Sequence, residues 1–350
     1  MEGVSSIDLA NSPFLQACRC QPAEHIPVWF MRQAGRSLPE YRALRKEGSI
    51  LDAIKKPDIA AEITLQPIRR YGVDAAILFS DIVVPVHAVG FGIDIEPGVG
   101  PVTENPFRTA KDLERLRDLD PIADTSYVIE TIKICVDELR IPLIGFAGGP
   151  FTIASYLIEG GPSRTYKETK KLMFDNPKLW GQLMDRLTAI CTSSLTSQIQ
   201  AGASAIQLFD SWVGALSPDQ YIRFVFPWVE KMFEEIGKTG VPKIHFGVAT
   251  GELLQLMSDV GADVVGIDWR VPLDQARSRV GGGKALQGNL DPGILSAPWT
   301  AIEAEVLKVL ELNDGHPGHI FNLGHGVTPD VNPDVLERIV HVVHQYRVGQ

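Results

Sequence analysis

Ile26-Pro27-Val28-Trp29-Phe30-Met31, running straight into Arg32-Gln33-Ala34-Gly35-Arg36, sets the pattern by which this chain is read: a short apolar run that ends at a polar, glycine-containing corner. The pattern recurs at residues 75–81, 143–147, 205–211, 243–247, 264–268, 285–289 and 319–323, and most of these runs lead into a stretch of helical spacing. Between them, residues 57–71 place Ile59, Ile63 and Pro67 on one side behind a first-turn proline, and residues 333–346 do the same with Val335, Ile339, Val342 and Val343. Eight strand-like runs alternating with helices predict an α/β chain folded as a (β/α)8 TIM barrel, not an open doubly wound sheet. Linkers rich in Gly, Pro and Ser are lacking between the runs. The expectation is therefore one domain over 1–350, with an N-terminal extension and a hairpin-like insertion near 83–102, where Gly90, Gly92, Gly98 and Gly100 fall. Gly281-Gly282-Gly283 precedes a run, so it reads as a turn on the opposite face and not as a phosphate cradle.

A length of 350 residues suits a barrel built as one unit, and 45% hydrophobic with 22% charged residues suits a large core. The net charge of −10 argues against nucleic acid as a partner. It also means that an anionic ligand must be held by a local basic group. Arg32, Arg36, Arg42, Arg45 and Lys46 provide one, although the same residues would also suit a solvated helix face. No apolar run reaches the roughly 20 residues that cross a bilayer, and Met1-Glu2-Gly3-Val4-Ser5-Ser6 lacks the order of a secretion signal. The expected location is cytoplasmic. Four cysteines in this length do not make a disulfide framework, and Cys18 and Cys20 have only His25 nearby as a third metal ligand, so reduced structural thiols are expected.

Reactive side chains in a barrel gather at the carboxyl ends of its strands. Those ends carry Arg32 and Arg36, then Asp81, then Tyr156 beyond Gly148-Gly149-Pro150-Phe151, then Asp210-Ser211, and finally Gly324-His325-Gly326. Asp81 could simply cap a helix, and Tyr156 could be a core aromatic. His325 between two glycines is harder to explain structurally, since flanking glycines let backbone and ligand approach closely, whereas His245 inside an apolar run reads as a core histidine. The set has guanidinium forks, carboxylates, hydroxyls and a histidine. It has neither a nucleophile beside a base nor a metal cluster. It therefore suits a polyanionic small molecule with a cationic or proton-rich centre, and spacing alone leaves Asp81 and Asp210 both open as the central acid.

With these residues in view, the chain resembles the uroporphyrinogen decarboxylase family. The resemblance is carried by residues 27–36 with Leu38-Pro39-Glu40-Tyr41-Arg42, by Phe79-Ser80-Asp81-Ile82, by residues 145–152 and by Tyr156-Leu157-Ile158-Glu159-Gly160-Gly161. Phe209-Asp210-Ser211-Trp212 and Asn322-Leu323-Gly324-His325-Gly326 complete it, in the family's order over nearly the whole chain. Ser37 departs from it, standing where the family usually has an aromatic. The resemblance implies decarboxylation of the four acetates of uroporphyrinogen III to methyls in haem biosynthesis, with no cofactor and no metal, by a homodimer. It implies Asp81 as the carboxylate that stabilises the transition state, with Arg32 and His325 as the other catalytic groups and either of them as the proton donor. The implied substrate contacts are Arg32, Gln33, Ala34, Gly35, Arg36, Asp81, Phe146, Tyr156, Ser211 and His325. A guanidinium stays protonated far above neutral pH and is a poor acid, which favours carboxylate binding for the arginines. Two other readings compete. A zinc-dependent methyl transferase on the same barrel would need a cysteine two residues after His245, where Gly247 stands. A tetrapyrrole carrier would have no need for a buried acid.

Overall fold

A computed structural model describes residues 9–45 and 48–347; Met1 to Ser6 and Lys46, considered above, lie outside the described residues. Seven of the eight apolar runs form strands: β1 (Ala76–Ile77), β4 (Leu143–Gly148), β5 (Ala205–Phe209), β6 (Lys243–Phe246), β7 (Val264–Gly266), β8 (Ala285–Gln287) and β9 (His319–Ile320). They pair in parallel in the order β1-β4-β5-β6-β7-β8-β9, which makes a curled seven-stranded sheet. Between β1 and β4 come a short helix, Val84–Ala88, and an antiparallel hairpin of β2 (Ile93–Glu96) and β3 (Gly100–Thr103). Helices precede the strands at Pro57–Tyr71, Ser126–Glu138, Pro177–Ala201, Phe226–Gly237, Leu254–Asp259, Leu273–Val280 and Trp299–Leu312. The last helix, Pro333–Gln345, starts at a proline behind Asn332, whose side chain accepts the Asp334 N–H at 3.1 Å.

The first run departs from the expected strand. It forms only an isolated parallel bridge, Val28 to Phe321, and the reason is where its N–H groups go. Pro27 has none. Val28 donates to the Asp74 carboxylate at 2.7 Å, Phe30 to Gln33 Oε1 at 3.0 Å and Met31 to Asn322 Oδ1 at 3.0 Å. Side chains have taken the positions that ladder carbonyls would fill. On its two flanks the run still touches both edge strands' neighbourhoods: Asp74 N–H donates to the Val28 carbonyl at 2.8 Å, and Phe321 N–H donates to that of Pro27 at 2.8 Å.

The core lies inside the curl as well as under the helices. Trp29, Gln287 on β8 and Gln207 on β5 are fully or almost fully buried and join in a chain, Trp29 Nε1–H to Gln287 at 3.0 Å and Gln287 to Gln207 at 2.9 Å. Side chains from the first run, β8 and β5 are thus linked where water is excluded, with Gln207 Nε2 left without a partner.

Candidate active site

Arg32 sits at the exposed carboxyl end of the first run with φ +62°, a left-handed conformation that costs a non-glycine residue about 1–2 kcal/mol. The following loop is fixed from inside by Gln33. Its side chain is fully buried, accepting from Phe30 N–H and donating to the Ala75 carbonyl at 3.1 Å, and its own N–H goes to the Phe30 carbonyl. Ala34 and Gly35 are half-buried, and Arg36 is exposed. Arg42, from the helix Pro39–Leu44, donates to the carbonyls of Arg36 and Ser37 at 2.7 and 3.0 Å, and Arg45 donates to the Gly48 carbonyl. The basic cluster is therefore divided: Arg42 bonds backbone, and Arg45 is half-buried over the Tyr41 ring with Nε and Nη1 unpaired, leaving Arg32 and Arg36 exposed. Ser37 is buried beneath this loop.

Three further residues gather around the Arg32 charge. Asp81, half-buried just past β1, accepts the Val83 N–H at 3.0 Å. Burial pushes its carboxyl above the ordinary carboxylate value, and the Val83 N–H and Arg32 hold back part of that rise. Burial also pushes the Tyr156 hydroxyl up; the Asp81 charge adds to this and Arg32 opposes it. His325, half-buried, is moved down by burial, then by Arg32 and Arg270, against a smaller opposite pull from Asp268. Its Nδ1 accepts the Gly326 N–H at 2.7 Å, which leaves the proton of the neutral ring on Nε2. Close packing explains the flanking glycines: a Cβ on Gly326 would stand 2.4 Å from Arg32 Cδ, and one on Gly324 would stand 2.3 Å from Trp269 N.

Tyr156, in the helix Pro150–Glu159, lies against Trp212 with ring centroids 3.8 Å apart, next to half-buried Ser211. Phe146 on β4 meets the Phe209 ring edge-on at 5.3 Å. Asp210 goes elsewhere. It is fully buried, accepts the Thr152 hydroxyl at 2.7 Å and lies 3.7 Å from the equally buried His245, so of the two acids left open by spacing only Asp81 is partly exposed among these groups. His245 is a core histidine, edge-on to Phe233. The segment Asp268-Trp269-Arg270, one residue past the end of β7, was not singled out by sequence reasoning; its signal is an acid, an aromatic and a base near a strand's carboxyl end.

At the amino end of the first run, His25, Asp74 and His344 could hold a cation, with ligand atoms within 4.8 Å of one another. Both imidazoles already bond the Asp74 carboxylate at 2.8 Å. The hydrogen bond to Asp74 raises His25 in spite of burial; burial pushes Asp74 up, but its bonds from His25, His344 and Val28 leave it below the ordinary value. The four cysteines are free thiols. Among the described residues no helix is long and apolar enough to cross a membrane.

A parallel α/β sheet with an acid, a guanidinium and an imidazole brought together past its strands' carboxyl ends defines an enzyme of the barrel-like α/β class. A family model described as "Uroporphyrinogen decarboxylase (URO-D)" matches residues 9–346. Uroporphyrinogen decarboxylase of Streptomyces avermitilis is 59% identical over 335 residues, covering 95% of this chain and 94% of that one. The enzyme of the same name from Thermobifida fusca is 58% identical over 342 residues, covering 97% and 94%. A methyltransferase from Methanosarcina mazei shares the fold, with a TM-score of 0.77 at 21% identity over 95% of this chain and 98% of the other. The chain belongs to the uroporphyrinogen decarboxylase family and is a carboxy-lyase of porphyrin biosynthesis.

Proposed function

We propose that this enzyme converts uroporphyrinogen III to coproporphyrinogen III in haem biosynthesis, turning each of four acetate side chains into a methyl with release of carbon dioxide and without a cofactor. The observation that carries the reading is the half-buried Asp81 carboxylate just past β1, fixed by the Val83 N–H, together with the exposed Arg32 side chain packed against Gly326 beside half-buried His325. An acetate on a pyrrole releases carbon dioxide only when the ring can take up the electron pair. Protonation of a ring carbon makes the ring an iminium-like cation; the bond to the carboxylate then breaks into it, leaving an exocyclic methylene. A second proton completes the methyl while the ring loses the first, so each cycle consumes one proton net. Asp81 accepts hydrogen bonds from the pyrrole N–H groups and stabilises the cation, and its poorly solvated setting strengthens that interaction.

Arg32 and Arg36 take substrate carboxylates, with Ala34 and Gly35 shaping the loop between them and Gln33 holding it in place. His325, neutral with its proton on Nε2, suits a hydrogen-bond donor to a carboxylate better than a general acid. Tyr156 and Ser211 supply hydroxyls, and Phe146 an apolar wall. The contacts of Val28 with Phe321 on one side and Asp74 on the other support a closed eight-membered (β/α)8 barrel in one domain, with the hairpin as its insertion. A cytoplasmic homodimer is part of the same proposal. The test is carbon dioxide release from uroporphyrinogen III by the purified protein and by Asp81→Asn, without added metals or coenzymes. Release by the native protein and its near loss in Asp81→Asn are expected; equal rates would refute the role of Asp81.

A further inference from the structure

Asp268, Trp269 and Arg270 follow β7 after one residue, Ile267, and form one connected group. Asp268 is 2% exposed, and its carboxylate accepts the N–H groups of Ala249 and Arg270. Its Oδ2 also accepts Arg270 Nη1–H at 2.6 Å. The same guanidinium lies over the Trp269 ring, 3.9 Å from the centroid. Trp269 in turn stands edge-on to His325 at 6.4 Å, and the Gly324 backbone packs against it. Arg270 is thus clamped on one face by an indole and at one nitrogen by a buried acid, while its side chain remains 48% exposed. Among the described residues, no protein acceptor bonds Nε or Nη2. The Arg270 charge reaches His325 from the β7 side, as that of Arg32 does from the first run.

If Arg270 served only to neutralise Asp268, neither half-exposure nor a second unused edge would be needed. A planar fork held in one orientation has already lost the side-chain freedom that binding would otherwise remove, and its free edge matches a carboxylate. We propose that Arg270 binds a carboxylate side chain of the substrate on the β7 side of His325, so that the imidazole is flanked by two guanidinium anchors and Arg270 helps to set which polycarboxylate fits. This rests on the decarboxylase reading for the substrate, though not for the binding of a carboxylate.

The experiment compares native protein with Arg270→Gln and Arg270→Lys in three readouts: steady-state turnover of uroporphyrinogen III, thermal unfolding, and the titration of His325 followed by NMR. Loss of one charge-assisted hydrogen bond predicts a KM about tenfold or more higher in Arg270→Gln, with kcat falling far less. Arg270→Lys, which keeps the cation beside Asp268 but not the fork, should recover stability but only part of the KM. The His325 titration should rise in Arg270→Gln, because a neighbouring positive charge has been removed. An unchanged KM in a folded Arg270→Gln, or a KM fully restored by lysine, overturns the proposal. If the native protein does not turn over uroporphyrinogen III, the decarboxylase reading fails separately. Binding of the oxidised octacarboxylate, uroporphyrin, read from tryptophan fluorescence, then decides for Arg270: about tenfold weaker binding in Arg270→Gln supports it and equal binding refutes it.

Discussion

Gly326→Ala tests the Arg32 placement without touching a charged group. An added methyl carbon would stand 2.4 Å from Arg32 Cδ, 2.7 Å from Cγ and 3.1 Å from Nε. Non-bonded carbons settle at about 3.5–4.0 Å, so the Arg32 side chain has to withdraw by about 1 Å. Arg32 is an exposed residue, which lets its side chain swing outward with little effect on the fold. The same displacement is large for a charge-assisted bond that forms at about 2.7–2.9 Å. Losing such a bond removes about 1.5–3 kcal/mol, which at 1.36 kcal/mol per decade is about ten- to a hundred-fold in KM. The main-chain N–H at this position is kept in the variant and can still reach His325 Nδ1, so kcat should fall little. Steady-state kinetics on uroporphyrinogen III with parallel thermal unfolding makes the measurement, and a double-mutant cycle with Arg32→Ala identifies the cause: once Arg32 is truncated, the methyl should add nothing further. A KM that stays at the native value, or a rise that persists undiminished in the Arg32→Ala background, refutes the reasoning.

Asp81→Asn should lower kcat by about a thousandfold. A carboxylate about 4 Å from the developing cation, at an effective dielectric of about 20, contributes about 4 kcal/mol, and single-turnover rates would measure it. The acid limb of kcat/KM should lie above the ordinary Asp value of 3.8, because burial raises Asp81 and activity is lost as pH falls through its shifted pKa. Arg32→Gln should move that limb higher still; a limb that moves down contradicts the proposed field. At the opposite end of the first run, the raised His25 contributes stability that is fully present below its ordinary value of 6.5 and lost as pH rises through the raised one. The lowered Asp74 contributes stability present above 3.8 and lost as pH falls through its folded-state value. The Tm difference between native protein and His25→Gln should therefore be widest between these two limits and narrow on the alkaline side, which a Tm series across pH would show.

The α/β character and the order of the strands could be read from residues 75–81 onward, because a buried parallel strand is a short apolar run and helices between such runs have their own spacing. Residues 26–31 look like the best strand of the set and make only a bridge. Apolar pattern reports which side chains are buried; it does not report that Asp74, Gln33 and Asn322, distant in sequence from one another, compete for the main-chain N–H groups. At the site, Arg32 and His325 could be picked out from their neighbours. The choice between Asp81 and Asp210 could not, since both end an apolar run and only the third dimension puts Thr152 on one of them. Gln33 sits in the most legible motif, yet its side chain points inward. Trp269 and Arg270 went unread because their significance lies in Gly324 and His325, which arrive from β9.

The way the first run is fastened has a consequence for how this molecule gives way. Ladder bonds are indifferent to sequence, so a strand held by them tolerates exchange of most residues. Here the peptide amides of Val28, Phe30 and Met31 depend on one particular side chain each. Replacing any of the three by an apolar neighbour in size would orphan a buried amide and slacken the segment from which Arg32 extends. Damage to substrate capture would then originate some distance from any group that meets the substrate, and deuterium uptake by those three amides would announce it before the molecule as a whole unfolds.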